Sequence, residues 1–265
     1  MLPPTLVRMP RVLHTAQALV DVILEIDELP PRGGNANARS ERWYAGGAVT
    51  TLIAASRTGA VAVHGGAHGT GPHGDLIREA LARDGVLLSD EIHGEADTGH
   101  CTVLLEPSAE RTFLTVYGAE RQITAESLAT LDPQPGDLVC VSGYSLFEPT
   151  RDPLLEFLDS LPEGVDVVLD PGDPFASFPP AIQRRVLSRT TVWTSNADEA
   201  RALTDLDDLE DTPEAIRRRL PPGQWWWCAT AIAAASCSIT VAAPRSLPSR
   251  RRRWTPMVRA TPIPG

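Results

Sequence analysis

Asn196 and Glu199 are two residues whose types and spacing suit chemistry at a single site. They lie three positions apart, so a helix that begins here places both side chains on one face. The same spacing fits a capping box, in which Asn196 caps the helix and Glu199 bonds back to its start. Both interpretations are compatible, because the start of a helix is also where phosphate groups bind.

Asp170 is a third candidate, because it ends an apolar run that predicts a strand and is followed by Pro171 and Gly172. In open α/β sheets, ligands bind at the carboxyl ends of the strands, which favours a role for Asp170 in binding. The alternative is an ordinary turn residue at the end of a strand.

The histidines and cysteines give weaker signals. His64, His68 and His73 are close in sequence, but they show neither HxH nor HExxH spacing and stand in a glycine-rich stretch. Such a stretch is a poor frame for metal ligands, so we predict loop histidines and no metal site. No two of the four cysteines have CxxC spacing, and Cys101 and Cys140 are predicted to be buried apolar residues.

The charged residues exclude several mechanisms. All 24 basic residues are arginine, which excludes a Walker-type lysine, a lysine Schiff base and a lysine general base within these residues, and indicates a gene rich in G and C. Residues 1–224 carry a net charge of −16, whereas residues 225–265 carry +6 and no acidic residue. The acidic part shows no broad basic surface, so we expect no nucleic-acid partner. No apolar run suits a signal peptide or a membrane-spanning helix, which predicts a cytoplasmic protein without a membrane partner.

The elements that must position these residues alternate between strands and helices. This alternation predicts an α/β fold with a mostly parallel sheet. Strands are predicted at residues 11–26, 61–63, 138–142, 165–169 and 191–194, and the main helices at 48–57, 75–83, 153–161, 181–188 and from 198. Residues 101–106 and 111–117 form a predicted hairpin, which together with the polar residues 31–45 interrupts the alternation. We predict a small β appendage there that acts as a lid.

An ordered series of motifs now resembles the ribokinase-like (PfkB) carbohydrate kinases over residues 11 to 224. The series comprises Asp21 on an early strand, Gly46-Gly47 entering a helix, the loop Gly69 to Asp75, Asp97-Thr98-Gly99, Asp170-Pro171-Gly172, and Thr194 to Glu199. The resemblance implies a three-layer α/β sandwich over residues 9–224, with a β lid from about 31–45 and 99–118 and an incomplete C-terminal portion. It also makes a homodimer through the lid an expectation.

The resemblance implies phosphoryl transfer from ATP to a hydroxyl of a small-molecule sugar. It assigns Asp21 to the substrate hydroxyls, since a carboxylate can accept from two neighbouring OH groups, and it brings the backbone of Gly46 and Gly47 close to the sugar. Thr51 stands where the family usually has asparagine, which leaves the identity of the substrate open. Asn196 and Glu199 are expected to organise Mg²⁺, and these two residues with Asp170 are expected to bind the nucleotide.

The family's catalytic run, Gly-Ala-Gly-Asp, does not occur in these 265 residues. In the family its aspartate deprotonates the hydroxyl, and the backbone N–H groups at the start of the following helix hold the transferring phosphate. The match stops after Gln224, at the point where the charge changes. We therefore expect this chain to lack both the base and the anion hole.

The codons for residues 225–265 predict a shifted reading frame. Trp and Met each have one codon, so reading Gln224 to Cys228 two bases further on gives Val or Met and then three valines. In the same frame, Trp254 to Pro262 force an aspartate and a glycine and permit Asp-Thr-Asn-Gly-Ala-Gly-Asp-Thr. Loss of one G near Trp225 would produce this shift. We predict that residues 225–265 are an out-of-frame tail.

Two alternatives remain open at this point. A nucleoside kinase of the same family would use the same residues on a different acceptor. A non-catalytic, sugar-binding pseudokinase would keep the Asp21 and Gly46-Gly47 site and have a genuine, unusual C-terminus.

Overall fold

A computed structural model of the chain describes residues 9–89, 92–93, 95–208, 211–221 and 225–228. The described residues form two compact units, which divide between Val167 and Val168. Each unit contains both strands and helices.

The described part of the first unit contains four α-helices and ten strands, most of which belong to two sheets. Its strands are β1 (Arg11–His14), β2 (Ala18–Glu25), β3 (Ser40–Gly47), β4 (Val61–His64), β5 (His68–Gly69), β6 (Leu87–Leu88), β7 (Ile92–His93), β8 (His100–Leu105), β9 (Arg111–Val116) and β10 (Leu138–Ser142). Its helices are α1 (Ala48–Arg57), α2 (Pro72–Arg83), α3 (Ala125–Ala129) and α4 (Arg151–Ser160).

Parallel pairing joins β10, β1, β4 and β6 in that order. Leu13 marks the centre, because it lies opposite Val139 on one side and Val63 on the other and is fully buried. A second sheet has the order β3-β2-β8-β9, and we call it the lid sheet. In it β2 pairs antiparallel with β3 and parallel with β8, while β8 and β9 form an antiparallel hairpin.

Alternation along β2 decides which side chains the lid sheet buries. Ala18, Val20 and Val22 are buried and belong to one apolar cluster with α1 and α2. Successive residues of a strand point to opposite faces. Asp21 therefore projects from the face opposite to this cluster.

The second unit is built on three parallel strands. They are β11 (Asp166–Asp170), whose first two residues precede the division, β12 (Val192–Ser195) and β13 (Trp225–Cys228), and they are accompanied by the helices α5 (Pro180–Leu187), α6 (Ala197–Thr204) and α7 (Thr212–Arg217). The fully buried ring of Trp193 packs edge-on against Phe175 with ring centres 5.7 Å apart. Its indole N–H donates to Ser195 Oγ at 2.8 Å, which satisfies the polar atom of this core residue.

The predicted α/β class, with a mostly parallel sheet and a second small sheet, is confirmed. The prediction of one strand over residues 11–26 is wrong. The chain leaves β1 at Thr15, whose N–H and hydroxyl both donate to the carbonyl of Cys140, and enters the lid sheet as β2. Both strands are rich in Val, Leu and Ile, so the apolar composition of residues 11–26 does not show this change of sheet.

Part of the segment predicted to be out of frame lies within the described residues. Trp225–Cys228 forms β13 and pairs residue by residue with β12, from Val192 and Trp225 to Ser195 and Cys228. Residues 229–265, including the predicted shifted run near Trp254, lie outside the described residues. In the part of the chain that the structure describes, no helix has the length and apolar character needed to span a bilayer.

The prediction of loop histidines is wrong for all three residues, because His73 lies in the first turn of α2 and the other two lie in strands. His64 ends β4 and His68 stands in β5, and both side chains are buried. His64 Nε2 is 2.9 Å from the carbonyl oxygen of Ala16, which can only accept, so this nitrogen carries the proton. His64 Nδ1 therefore accepts from His68 Nε2 at 2.8 Å. Among the described residues no group of three metal-ligating side chains is present.

Acid should destabilise the first unit through its buried histidines. Burial lowers the pKa of His64 to about 4 and that of His14 to about 3, so the folded state keeps both neutral. The unfolded chain takes up protons below the ordinary pKa of about 6.5, and stability is lost as pH falls from there towards 4. At pH 5 the loss is about 2 kcal/mol for each histidine. Urea unfolding between pH 7 and pH 4.5 measures it.

Substitution separates this effect from the titration of carboxylates. His64→Gln removes the buried titrating group and also its coulombic effect on His14. We expect His64→Gln to show a flatter dependence of the unfolding free energy on pH than wild type. Equal slopes for wild type and His64→Gln would contradict the prediction.

Candidate active site

Asp21 lies at the centre of the lid sheet. It pairs with Tyr44 on β3 and with Cys101 on β8, so it is flanked by strands on both sides. Partial burial raises the pKa of its carboxyl above the usual value. A desolvated carboxylate gains more from ligand hydroxyl groups than one that is fully hydrated.

Gly46 approaches the Asp21 carboxylate so closely that any side chain at position 46 would displace that carboxylate. A Cβ atom built on Gly46 would lie 2.1 Å from Asp21 Oδ2. Gly47 has a positive φ of 61°, and a Cβ there would lie 2.4 Å from the carbonyl oxygen of Gln17. The structure therefore brings Asp21 and the Gly46-Gly47 pair together, as the sequence predicted for a substrate site.

Thr51 is placed on the exposed side of the first turn of α1. Gly47 is the N-cap of this helix, so Thr51 follows it by one turn. Residues four apart on a helix share a face. The structure therefore places Thr51 one helical turn after the glycine pair.

Asp97 was not predicted from the sequence to be a functional side chain. Its carboxylate accepts from the backbone N–H groups of His73, Gly74 and Thr98 at 3.0, 2.9 and 2.7 Å. Although burial acts to raise its pKa, these donors hold the pKa of Asp97 below its usual value. Asp97 thus caps the start of α2 from a distant loop. Its place in the Asp97-Thr98-Gly99 motif was the only available signal.

Glu120 was also missed. Its side chain is fully buried and accepts from the backbone N–H groups of Gly99 and Gly118 at 2.6 and 2.9 Å. It therefore ties together the two ends of the β8-β9 hairpin. The carbonyl of Gly99 in turn accepts from Val20, next to Asp21. A local sequence pattern does not show which distant N–H groups donate to a carboxylate. No sequence signal therefore indicated this role of Glu120.

In the second unit, Asn196 and Glu199 form the predicted capping box. Asn196 Oδ1 accepts from the N–H of Glu199 at 2.8 Å, and Glu199 Oε2 accepts from the N–H of Asn196 at 3.0 Å. Asn196 Nδ2 also donates to Glu199 Oε1 at 2.8 Å. The capping interpretation is confirmed, and the two side chains are fixed at the start of α6.

Asp170 makes this end of the second unit strongly acidic. It closes β11, and partial burial raises the pKa of its carboxyl while the N–H of Gly172 acts in the opposite direction. Burial also raises the pKa of Glu199, against the hydrogen bond from Asn196, and the charges of Asp170, Asp173 and Asp198 raise it further. Carboxylates that repel each other in this way gain from a bound cation.

The donor set fits Mg²⁺ better than a softer metal. The acidic groups offer oxygen atoms, which Mg²⁺ prefers, and Mg²⁺ is usually held by one or two carboxylates with waters and phosphates. That mode does not require the larger cluster of ligands that is absent from the described residues. Asp170 and Glu199 are the groups that would hold the ion, directly or through water.

The geometry of both units agrees with the comparison to known proteins. The family model for pfkB family carbohydrate kinases matches residues 9–224. The chain therefore belongs to the pfkB family of carbohydrate kinases. A relative in Escherichia coli (strain K12), the uncharacterized sugar kinase YegV, is 32% identical over 198 residues. The match covers 74% of this chain and 61% of the relative, so the chain spans about three fifths of the relative's length.

Solved structures share the fold. Adenosine kinase from Sinorhizobium meliloti superposes with a TM-score of 0.71 at 16% identity, covering 84% of this chain and 75% of that one. Ribokinase from Arabidopsis thaliana, in complex with ribose and ATP, gives a TM-score of 0.65 at 21% identity, covering 83% and 72%. At these identities the likeness shows the ribokinase-like fold.

Proposed function

We propose that the gene encodes an ATP-dependent kinase that phosphorylates a hydroxyl group of a sugar. The observation that carries the proposal is the contact between Asp21 and Gly46, since a Cβ atom at position 46 would overlap the Asp21 carboxylate. This arrangement presents a half-buried carboxylate beside bare backbone, which suits the paired hydroxyl groups of a sugar. The name of the relative YegV, an uncharacterized sugar kinase, supports the proposal.

In this proposal the second unit supplies the residues that bind the nucleotide. Asn196 and Glu199, with Asp170, bind ATP and Mg²⁺, and the ion neutralises charge on the phosphate groups. Glu199 Oε1 is held by Asn196 Nδ2, so an ion or its water replaces that hydrogen bond when it binds. The ATP present in the Arabidopsis ribokinase structure supports the choice of nucleotide.

Sugar binding tests the substrate site without requiring turnover. We expect ribose or fructose to bind the chain in calorimetry, and Asp21→Asn to weaken that binding by about 10- to 100-fold, because one charge-assisted hydrogen bond contributes about 1.5–3 kcal/mol. Gly46→Ala should abolish binding, because its Cβ meets Asp21 Oδ2.

Asp27→Asn is the matched control, since that side chain is 78% exposed. Adenosine provides the comparison for a nucleoside kinase, and preferred binding of adenosine would favour that alternative. Failure of all three ligands to bind, or unchanged affinity in Asp21→Asn, would refute the proposed site.

We propose further that residues 225–265 are encoded out of frame. Support comes from the change in charge after Gln224, the forced codons at both ends of the segment and the lack of a Gly-Ala-Gly-Asp run. Valine and tryptophan both favour strands, so β13 is compatible with either frame. The pseudokinase alternative rests on one observation, the intact contact between Asp21 and Gly46 in a chain without that run.

We also propose that two copies of the chain associate through the lid sheet. Its two edge strands, β3 and β9, carry apolar side chains that are about half exposed: Trp43, Tyr44, Phe113, Leu114 and Val116. Edge strands and exposed apolar patches favour association.

Sedimentation velocity tests this association. Phe113→Ser combined with Leu114→Ser should convert a dimer to a monomer. Leu87→Ser, at a position that is 56% exposed on β6, is the control that should leave the dimer intact. A wild-type monomer at all concentrations would contradict the proposal.

A further inference from the structure

A cavity in the first unit is lined by a buried cation. The cavity has a volume of about 470 Å³ and is lined by Tyr117, Gly118, Arg121, Phe147, Glu148 and Pro149. All six residues belong to the first unit. Its volume lies within the range of about 300–1,000 Å³ that is typical of small-molecule sites.

Arg121 is the unusual member of this lining. The residue is only 7% exposed, and its guanidinium donates to the carbonyl oxygens of Tyr144 and Glu148. Within the described part of the chain, no carboxylate lies within 4.0 Å of this guanidinium. The carboxylate of Glu148, which lines the same cavity, is paired with Arg151 at 2.8 Å instead. The positive charge is therefore fixed in place but not neutralised.

Two aromatic rings complete the cavity. The guanidinium carbon of Arg121 lies 4.6 Å from the centre of the Tyr117 ring, and this cation–π contact helps to fix the position of the guanidinium group. Tyr117 and Phe147 are 50% and 42% exposed, so each offers apolar surface to a ligand. A buried guanidinium without an anion is costly, and its planar fork matches the two oxygens of a carboxylate or phosphate.

We propose that this cavity binds a small planar organic anion, with its carboxylate or phosphate on Arg121 and its flat apolar body against Tyr117 and Phe147. The positive charge of Arg121 favours the carboxylate or phosphate of the ligand, and the rings of Tyr117 and Phe147 favour its flat apolar part. The lining of this cavity shares no residue with the proposed sugar kinase site, and binding there does not depend on phosphoryl transfer.

Ligand-observed NMR on the full chain tests the proposal with three probes. Benzoate and phenyl phosphate carry the two candidate anions on the same ring, and benzamide is the uncharged counterpart of benzoate. We expect at least one anion to bind, and benzamide to bind at least about tenfold more weakly, as expected for loss of one charge-assisted contact. The anion that binds more tightly identifies the headgroup.

Three variants connect binding to the cavity. Arg121→Gln, Tyr117→Ser and Phe147→Ser should each weaken binding of the preferred anion, whereas Arg83→Gln, an exposed arginine at the end of α2, should not. If the buried Arg121→Gln variant fails to fold, the two exposed aromatic positions decide. The proposal is overturned if neither anion binds wild type, if benzamide binds equally well, or if Tyr117→Ser and Phe147→Ser retain full affinity.

Discussion

Replacing Asp137 with alanine is expected to lower the free energy of unfolding by about 3–5 kcal/mol, because the change removes one partner of a buried ion pair. The Asp137 side chain is completely buried. Its carboxylate accepts from the backbone N–H, Nε and Nη2 of Arg11 at 2.9, 3.0 and 2.7 Å, and from the N–H of Gln134 at 3.0 Å. Alanine leaves all four donors without this acceptor, at the start of β1 and β10. Urea unfolding followed by circular dichroism measures the loss.

Asp27→Ala is the matched control for this prediction. Asp27 pairs with Arg39 at 3.4 Å, but its side chain is 78% exposed, so the expected loss is below about 1 kcal/mol. Asp137→Asn keeps the shape of the side chain and should fall between the two. A loss for Asp137→Ala as small as that of the control would show that the buried pair does not hold β1 and β10 together.

Restoring the reading frame after Gln224 is expected to raise phosphorylation by at least about 10⁴-fold over the chain as written. The chain as written lacks the Gly-Ala-Gly-Asp run, and a general base and an anion hole contribute about 10²–10⁴ and 10²–10³ respectively. The measurement is turnover of ribose, fructose and adenosine with Mg·ATP. Within the restored chain, changing the aspartate of that run to asparagine should remove most of the gain.

Two results would contradict the frame proposal. One is turnover of about 1–100 s⁻¹, the range of ordinary kinases, by the 265-residue chain as written. The other is a gene sequence around the codons for Gln224 to Cys228 that confirms the printed frame. Sugar binding that persists without turnover in both chains would favour the pseudokinase.

Local patterns predicted the alternation of strands and helices but not the assignment of strands to sheets. The break between β1 and β2 depends on Thr15 bonding to Cys140, more than a hundred residues away. The similar apolar composition of the two strands does not indicate such a contact. His64 and His68 were misplaced for a related reason, because glycines predict a loop and only long-range packing shows that both rings are buried.

The candidate site was predictable where its signal is local. The capping box of Asn196 and Glu199 follows from their spacing, and Gly46-Gly47 follows from the type of residue. Asp97 and Glu120 were missed, because each accepts from backbone N–H groups that are remote in sequence. Arg121 was missed as well, since an arginine becomes unusual only when the structure shows that it is buried beside a cavity.

The contact between Gly46 and Asp21 has a consequence for how relatives of this chain diverge. A Cβ atom at position 46 would lie 2.1 Å from Asp21 Oδ2, so a side chain there displaces the carboxylate from its present position. A shorter residue at position 21 removes the clash and the carboxylate at the same time. The two positions should therefore change together across the family, and descendants that have lost Asp21 are the ones free to lose the glycine.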